Sequence, residues 1–285
     1  MATASTKDIK RRQKSIENTL KITKAMELVA FSKLKKGRQQ VRQTAPFFHE
    51  LYNIIENISK NQQVDSVFFK EQAVEKMCYI VIAGDKGLAG SYNGNVLRFA
   101  KNEMSKYNCE DVDVVTIGRR ASDFFKRQKF NLVAQYDDVT ENFSMDLSLK
   151  ITEKIVNDFC SDCYQEVSII FTDFVSVLVQ KPVLQKVLPL TQKLDGKEKK
   201  ITNIIYEPSP SVVFNMVMPK YVAGILYGAV IESFASEQGA RRLAMEAANK
   251  NAKDMLKDLN IIFNKVRQSN ITQEITEIAT GAQAI

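Results

Sequence analysis

Residues 84–90, Gly-Asp-Lys-Gly-Leu-Ala-Gly, follow a strongly apolar run. A glycine-rich turn after a strand is where open α/β sheets hold phosphate on backbone N–H groups. The spacing here fits neither the G-x-G-x-x-G order nor a Gly-Lys-Ser/Thr ending, and no Walker-type sequence occurs elsewhere in the chain. The loop therefore reads as a tight strand-to-helix turn that presents Lys86 at a surface. Cys160 and Cys163 match C-x-x-C, a spacing that serves zinc or dithiol chemistry, but no second pair completes a tetrahedral site. They read as core cysteines on successive helical turns. The sole histidine, His49, lies just past Pro46 among Phe47, Phe48 and Leu51 and reads as packing at a helix end. One histidine gives zinc-protease and Ser-His-Asp arrangements little to draw on, and no carboxylate pair stands out as acid and base. No catalytic, cofactor-binding or metal-binding residue is expected.

The elements that would carry these residues are read from periodicity. Residues 6–45 and 220–285 are proline-free and apolar-striped, and as helices they would span roughly 60 and 100 Å. Ordinary globular helices run about 8–20 residues, so each needs a partner, and the nearest is the other. Near the C-terminus Leu256, Leu259, Phe263 and Val266, then Ile271, Ile275, Ile278 and Ala282, form a coiled-coil seam with a stutter. Ile9, Ile16, Leu20, Met26, Val29 and Ala30 give a looser stripe at the N-terminus, with Pro46 expected to end that helix. Between them, residues 77–83, 112–117 and 166–175 read as buried strands, separated by helices over 96–107, 119–128 and 146–163. Pro182 and Pro189 place 177–190 at a sheet edge or in a ribbon, and 195–200 is a polar loop. The fold class is α/β: a Rossmann-like central domain, 61–209, flanked by long terminal helices, 1–60 and 210–285, in an antiparallel coiled coil.

A hydrophobic content of 45% with 26% charged residues describes a folded chain with ample core. Four cysteines are too few for a disulfide scaffold, and no export signal precedes the first helix, so the reading is an intracellular protein. The apolar runs fall short of a bilayer span, which assigns any membrane association to a partner. The net charge of +7 is concentrated: residues 1–45 hold twelve Lys and Arg against three Asp and Glu. Such a helix suits phosphates or an acidic protein environment. A basic coiled-coil nucleic-acid-binding protein is thus the alternative reading, although its basic residues are scattered rather than gathered in a compact region.

Four segments then carry a resemblance. Residues 21–30, Lys-Ile-Thr-Lys-Ala-Met-Glu-Leu-Val-Ala, and 267–278, Arg-Gln-Ser-Asn-Ile-Thr-Gln-Glu-Ile-Thr-Glu-Ile, resemble the N- and C-terminal signatures of the gamma subunit of F-type ATP synthases. Residues 84–90 are similar to that family's Asp-Arg-Gly-Leu-Cys-Gly loop, and 236–241, Ser-Glu-Gln-Gly-Ala-Arg, to its Ser-Glu-Gln-x-Ala-Arg segment. The four lie in the family's order from end to end.

The resemblance implies a central-stalk rotor that transmits torque between a membrane c-ring and the catalytic beta subunits during ATP synthesis or hydrolysis. It implies a non-catalytic subunit without cofactor, present as one copy, with alpha and beta subunits, epsilon and the c-ring as partners. Neither nucleic acid nor a direct membrane span belongs to that picture. The implied location is peripheral, on the cytoplasmic face of a bacterial inner membrane. By the same resemblance Met26, Lys86, Arg267, Gln268, Thr272 and Glu274 face beta subunits, and Tyr206 and Glu207 face epsilon and the c-ring. There are departures: Lys86 stands for the usual Arg and Ala89 for Cys, Phe31 follows Ala30 where small residues are usual, and Gly239 stands where Ala is common. The long dithiol insert of chloroplast members is missing, so Cys160 and Cys163 are not cast as that redox switch.

Overall fold

The computed structural model describes residues 6–61, 66–69, 72–190 and 206–283, so the polar loop expected at 195–200 lies outside the described residues. The chain divides into two compact units, 1–30 with 241–285 and 31–240. The shaft and foot read from the sequence, 1–60 with 210–285 and 61–209, follow the helices, whereas this grouping follows contacts and sets the inner parts of both helices with the sheet.

In the larger unit five strands form one sheet: β1 Met77–Ile82, β2 Val112–Ile117, β3 Asn131–Tyr136, β4 Glu166–Phe174 and β5 Gln180–Leu188, in the order β3-β2-β1-β4-β5. The first four are parallel and β5 is antiparallel. Every residue of β1 and β2 is buried, which is why their sequences are continuous apolar runs. β5 carries Pro182 at the sheet edge, where no inner ladder bond is lost. β3, which the sequence reading missed, alternates exposed and half-buried residues as the other edge.

Helices α2 (Tyr92–Met104), α3 (Arg119–Phe125) and α4 (Met145–Cys160) connect the strands. Met77, Tyr79 and Val81 pack with α2 and α3 on one face, while Cys78, Ile80 and Ile82 face α4 and the two long helices on the other. α4 begins at Ser144, whose hydroxyl accepts from the Leu147 N–H. Its buried stripe is Ile151, Ile155, Val156 and Phe159, so Cys160 falls off the stripe, and Cys160 and Cys163 are both exposed. The expectation of core cysteines is corrected by that one-residue phase difference. Cys78 is the buried thiol instead, pushed up to about 12 by burial and then by the Asp113 carboxylate, which holds it protonated.

The first long helix, α1 (Thr6–Asn61), runs through Pro46 rather than ending there. An interior proline costs a helix about 3 kcal/mol. Leu51, Ile55 and Ile58 on the following turns are buried, and each fully buried aliphatic side chain returns about 1.5–3 kcal/mol. His49 accordingly sits in mid-helix, exposed, with Asn53 Nδ2 at 3.1 Å from its Nδ1, and the helix-end packing role does not hold.

The second, α5 (Pro210–Gln283), starts at 210, ten residues before the proline-free stretch, and passes Pro219, flanked by the buried Met218 and Val222. It contains an 18-residue stretch of mean hydropathy 1.3, apolar enough by length and composition to cross a membrane, contrary to the reading of shorter runs. Of that stretch 56% is buried inside the protein, as in a core helix. Gly224 gives α1 and α5 their close approach: a Cβ there would lie 2.4 Å from the Phe48 ring.

In the smaller unit the outer parts of the same two helices pair. Lys10 lies over Phe263, Gln13 Nε2 donates to Asn260 Oδ1 at 2.8 Å, and Thr23 Oγ1 reaches Asn249 Oδ1 at 2.5 Å. As one residue number rises the other falls by nearly the same amount, which defines an antiparallel pair. Ile9, Ala30, Met245 and Ala252 are its buried apolar residues, Arg241 and Asn249 are buried with them, and Leu256, Leu259, Phe263 and Val266 are half-buried. Beyond them Ile271, Ile275 and Ile278 are 47%, 61% and 72% exposed. The second half of the expected seam is therefore uncovered: Phe263 already faces Lys10, about one turn from the first described residue of α1.

Candidate functional site

The glycine-rich loop is held by Asp85. Its Oδ1 accepts the backbone N–H groups of Arg119 at 2.9 Å and Asp138 at 2.8 Å, while Oδ2 accepts Thr140 N–H at 3.1 Å and Thr140 Oγ1–H at 2.6 Å. One carboxylate thus ties the loop after β1 to those after β2 and β3, at the carboxyl edge of the sheet where this architecture places ligands. A carboxylate of the chain itself engages these backbone donors, and this gives the missing nucleotide spacing a structural counterpart. Asn93 fastens the other side, accepting from Gly84 N–H at 2.9 Å and donating to Lys86 C=O at 3.2 Å.

Lys86 and Leu88 stand exposed on this braced loop, as the sequence reading required of Lys86. Beside it Lys33 Nζ bonds Glu141 Oε1 at 2.5 Å, and that bond, with smaller help from Lys86 and Lys36, holds Glu141 below the usual carboxylate range against the opposing effect of burial. The loop, Lys33 and Lys36 form a cationic surface with one satisfied anion, suited to an acidic protein partner.

The other site residues fall as follows. Met26 is half-buried on α1, and Arg267, Gln268, Thr272 and Glu274 are exposed on α5, all five in the smaller unit. Thr272 Oγ1 donates to the Gln268 C=O at 2.9 Å, one turn back on the same helix side. Tyr206 and Glu207 belong to the larger unit with Lys86. Glu207 is exposed; Tyr206 packs against the core, its phenol raised by burial and its hydroxyl without a hydrogen-bond partner among the described residues.

The sequence reading missed three working residues. Asp85 was quoted inside the loop, but its partners lie far along the chain. Glu141 gave no local signal. Asn249 accepts from Thr23 and donates to Glu27 Oε2 at 2.6 Å, a polar bridge on a helix otherwise read for its apolar stripe. Four basic residues of α1 have partners within the protein: Arg11 with Asp8, Lys10 on Phe263, Lys33 with Glu141 and Arg38 on Phe174.

A family profile described as ATP synthase matches residues 5–285. The ATP synthase gamma chain of Ruminococcus albus is 39% identical over 282 residues, covering 98% of each chain. The sodium ion specific ATP synthase gamma chain of Acetobacterium woodii is 36% identical over 297 residues, again covering 98% of each. Among solved structures, a chain of the Tetrahymena thermophila mitochondrial ATP synthase central stalk and c-ring superposes with TM-score 0.62 at 24% identity, covering 80% of this chain and 99% of that one. A chain of the Euglena gracilis mitochondrial enzyme in rotational state 3 gives TM-score 0.70 at 18% identity, covering 98% and 94%. At those identities the two structures speak for the fold.

Proposed function

The chain belongs to the ATP synthase family as a gamma chain, a central-stalk rotor subunit, and we propose that one copy turns inside a ring of alternating alpha and beta subunits with its foot on epsilon and the c-ring. The observation that carries this reading is the smaller unit: two helices paired through polar contacts, with Ile22, Leu28, Ile261 and Ile275 left 60% or more exposed. Exposed apolar rows on a paired shaft call for an enclosing protein surface. A single asymmetric shaft touches three beta subunits differently, favours a different conformation in each, and cycles their nucleotide affinities as it turns.

The chain transmits torque and performs no bond chemistry. Met26, Arg267, Gln268, Thr272 and Glu274 meet the beta subunits along the shaft, where exchangeable hydrogen bonds suit a moving contact better than an interdigitated apolar seam. Lys86 meets an acidic element of beta from its Asp85-braced loop, as a point charge rather than the bidentate fork an Arg would offer. Tyr206 and Glu207 meet epsilon and the c-ring. In this reading the shaft comprises the two long helices, 1–60 and 210–285, whose inner parts are packed on the sheet of the foot, 61–209, and the complex sits on the cytoplasmic face of a bacterial inner membrane.

Reconstitution with alpha and beta subunits tests the reading. A probe on the foot should turn on addition of ATP, while the isolated chain hydrolyses none. ATP turnover by the assembly with a stationary probe, or hydrolysis by the pure chain that a substitution in it abolishes, would overturn it.

A further inference from the structure

Thr172 of β4 lies beyond the last β1–β4 pair, Val81 with Ile170, and opposite Pro182 of β5. The Thr172 N–H and C=O turn away from β5, so the proline opposite takes no bond from them, and past the end of β1 the N–H groups of Ala83 and Gly84 are given to Ile117 C=O and Asn93 Oδ1. Helix α5 supplies the partners instead. Ser236 Oγ–H donates to Thr172 C=O at 3.2 Å, and Ser233 Oγ accepts Thr172 N–H at 3.1 Å. Two serines at i and i+3 thus occupy the place of a missing strand at this single residue. All three residues are essentially fully buried.

Two further buried hydroxyls grip the backbone of the same helix. Tyr92, the first residue of α2, donates to Ser233 C=O at 2.9 Å, and Ser148 of α4 donates to Ala223 C=O at 2.7 Å. The contacts are spaced along α5 and come from three different elements. Apolar packing alone resists separation but permits a helix to slide or roll by small amounts. A directional bond weakens steeply once its angle departs from line, so these contacts oppose rotation of α5 about its axis. In a dry interior each broken bond also strands a polar group, which adds to the resistance.

We propose that Tyr92, Ser148, Thr172, Ser233 and Ser236 form a torsional clamp, which fixes the rotational register of α5 on the sheet so that torque entering the foot passes into the helix without slip. The proposal rests on the rotor reading and assigns these residues a positioning role in it. α5, like α1, continues into the smaller unit, and the clamp holds the part of α5 that lies in the larger one.

The test compares wild type, Tyr92→Phe, and Ser233→Ala with Ser236→Ala in the assembled complex, head immobilised and stalled with nucleotide, with a probe on the foot. The clamp predicts that the angular variance of the probe rises about twofold in the double variant, since half of the four buried ties are removed. Ions pumped per ATP should fall against an opposing gradient but not without one. Ser236→Thr, which keeps a hydroxyl, should restore both. Hydrogen exchange at the Thr172 amide should quicken in the double variant. Folded variants with wild-type variance and wild-type pumping under load would overturn the clamp. Should the double variant fail to fold, Tyr92→Phe alone decides on the same two readouts, since it removes one oxygen and keeps the ring. A wild-type complex that hydrolyses ATP without turning would overturn the rotor reading, whereas a turning wild type with indistinguishable variants overturns the clamp alone.

Discussion

Lys33 and Glu141 join α1 to the turn after β3 by a 2.5 Å ion pair, with the lysine 30% and the glutamate 44% exposed. Glu141 has its folded pKa lowered, so the stability it contributes is present above the ordinary Glu value of about 4.3 and is lost as pH falls through the folded value. Screening at such exposure limits the pair to about 1 kcal/mol or less. Lys33→Met should therefore lower the urea midpoint slightly at neutral pH, and the two midpoints should converge in acid. Divergence that grows on acidification would contradict the assignment.

Asp85→Ala removes the acceptor of four hydrogen bonds at once. The loss should be about 2–4 kcal/mol in thermal or urea denaturation, in the range of a broken bonded network. Asp85→Asn, which keeps one carbonyl oxygen, should fall between. A wild-type midpoint for the alanine variant would show that the loop is held by other means.

Gly224→Ala places a methyl group 2.4 Å from Phe48 Cδ1, so the ring or the helix must shift. Overpacking of this kind costs about 1–3 kcal/mol. Phe48→Leu in the same chain should recover part of it, giving a favourable coupling energy in a double-mutant cycle; strict additivity would mean that the two residues do not meet.

Arg267→Leu with Gln268→Leu should leave the assembled complex intact, because α5 draws its stability from burial elsewhere along its length. A contact to a charged group is worth about 1.5–3 kcal/mol. If that contact contributes to the rate-limiting step, turnover should fall roughly tenfold or more. Normal speed and torque in single-molecule rotation would remove these two residues from the beta contact.

Substitution of Tyr206 or Glu207 should reduce ions pumped per ATP while leaving ATP hydrolysis by the soluble part largely unchanged. Lost soluble hydrolysis with intact pumping would place this segment at the wrong end.

What could be read in advance follows from how local each determinant is. β1, β2 and β4 were legible because strands buried on both faces write continuous apolar runs. β3 was not: six residues with Val133 exposed and Leu132 and Ala134 half-buried give too short an alternation to stand out. Pro46 misled because a single-residue penalty is visible in sequence, whereas the burial of Ile55 and Ile58 that outweighs it depends on strands far along the chain. The same asymmetry governs the sites. Arg267 and Gln268 stood out through a segment's likeness, but Asp85 finds its partners 34, 53 and 55 residues away, and no window of sequence contains them.

The uncovered row of Ile271, Ile275 and Ile278 also bears on the life of the chain before assembly. A newly made copy displays a greasy stripe that water disfavours, and two such copies can satisfy each other's stripes as readily as the proper neighbours can. Surplus molecules are therefore the hazardous ones: they would self-associate, or occupy chaperones and proteases, in proportion to their excess. Synthesis matched to that of its neighbours would keep that excess small.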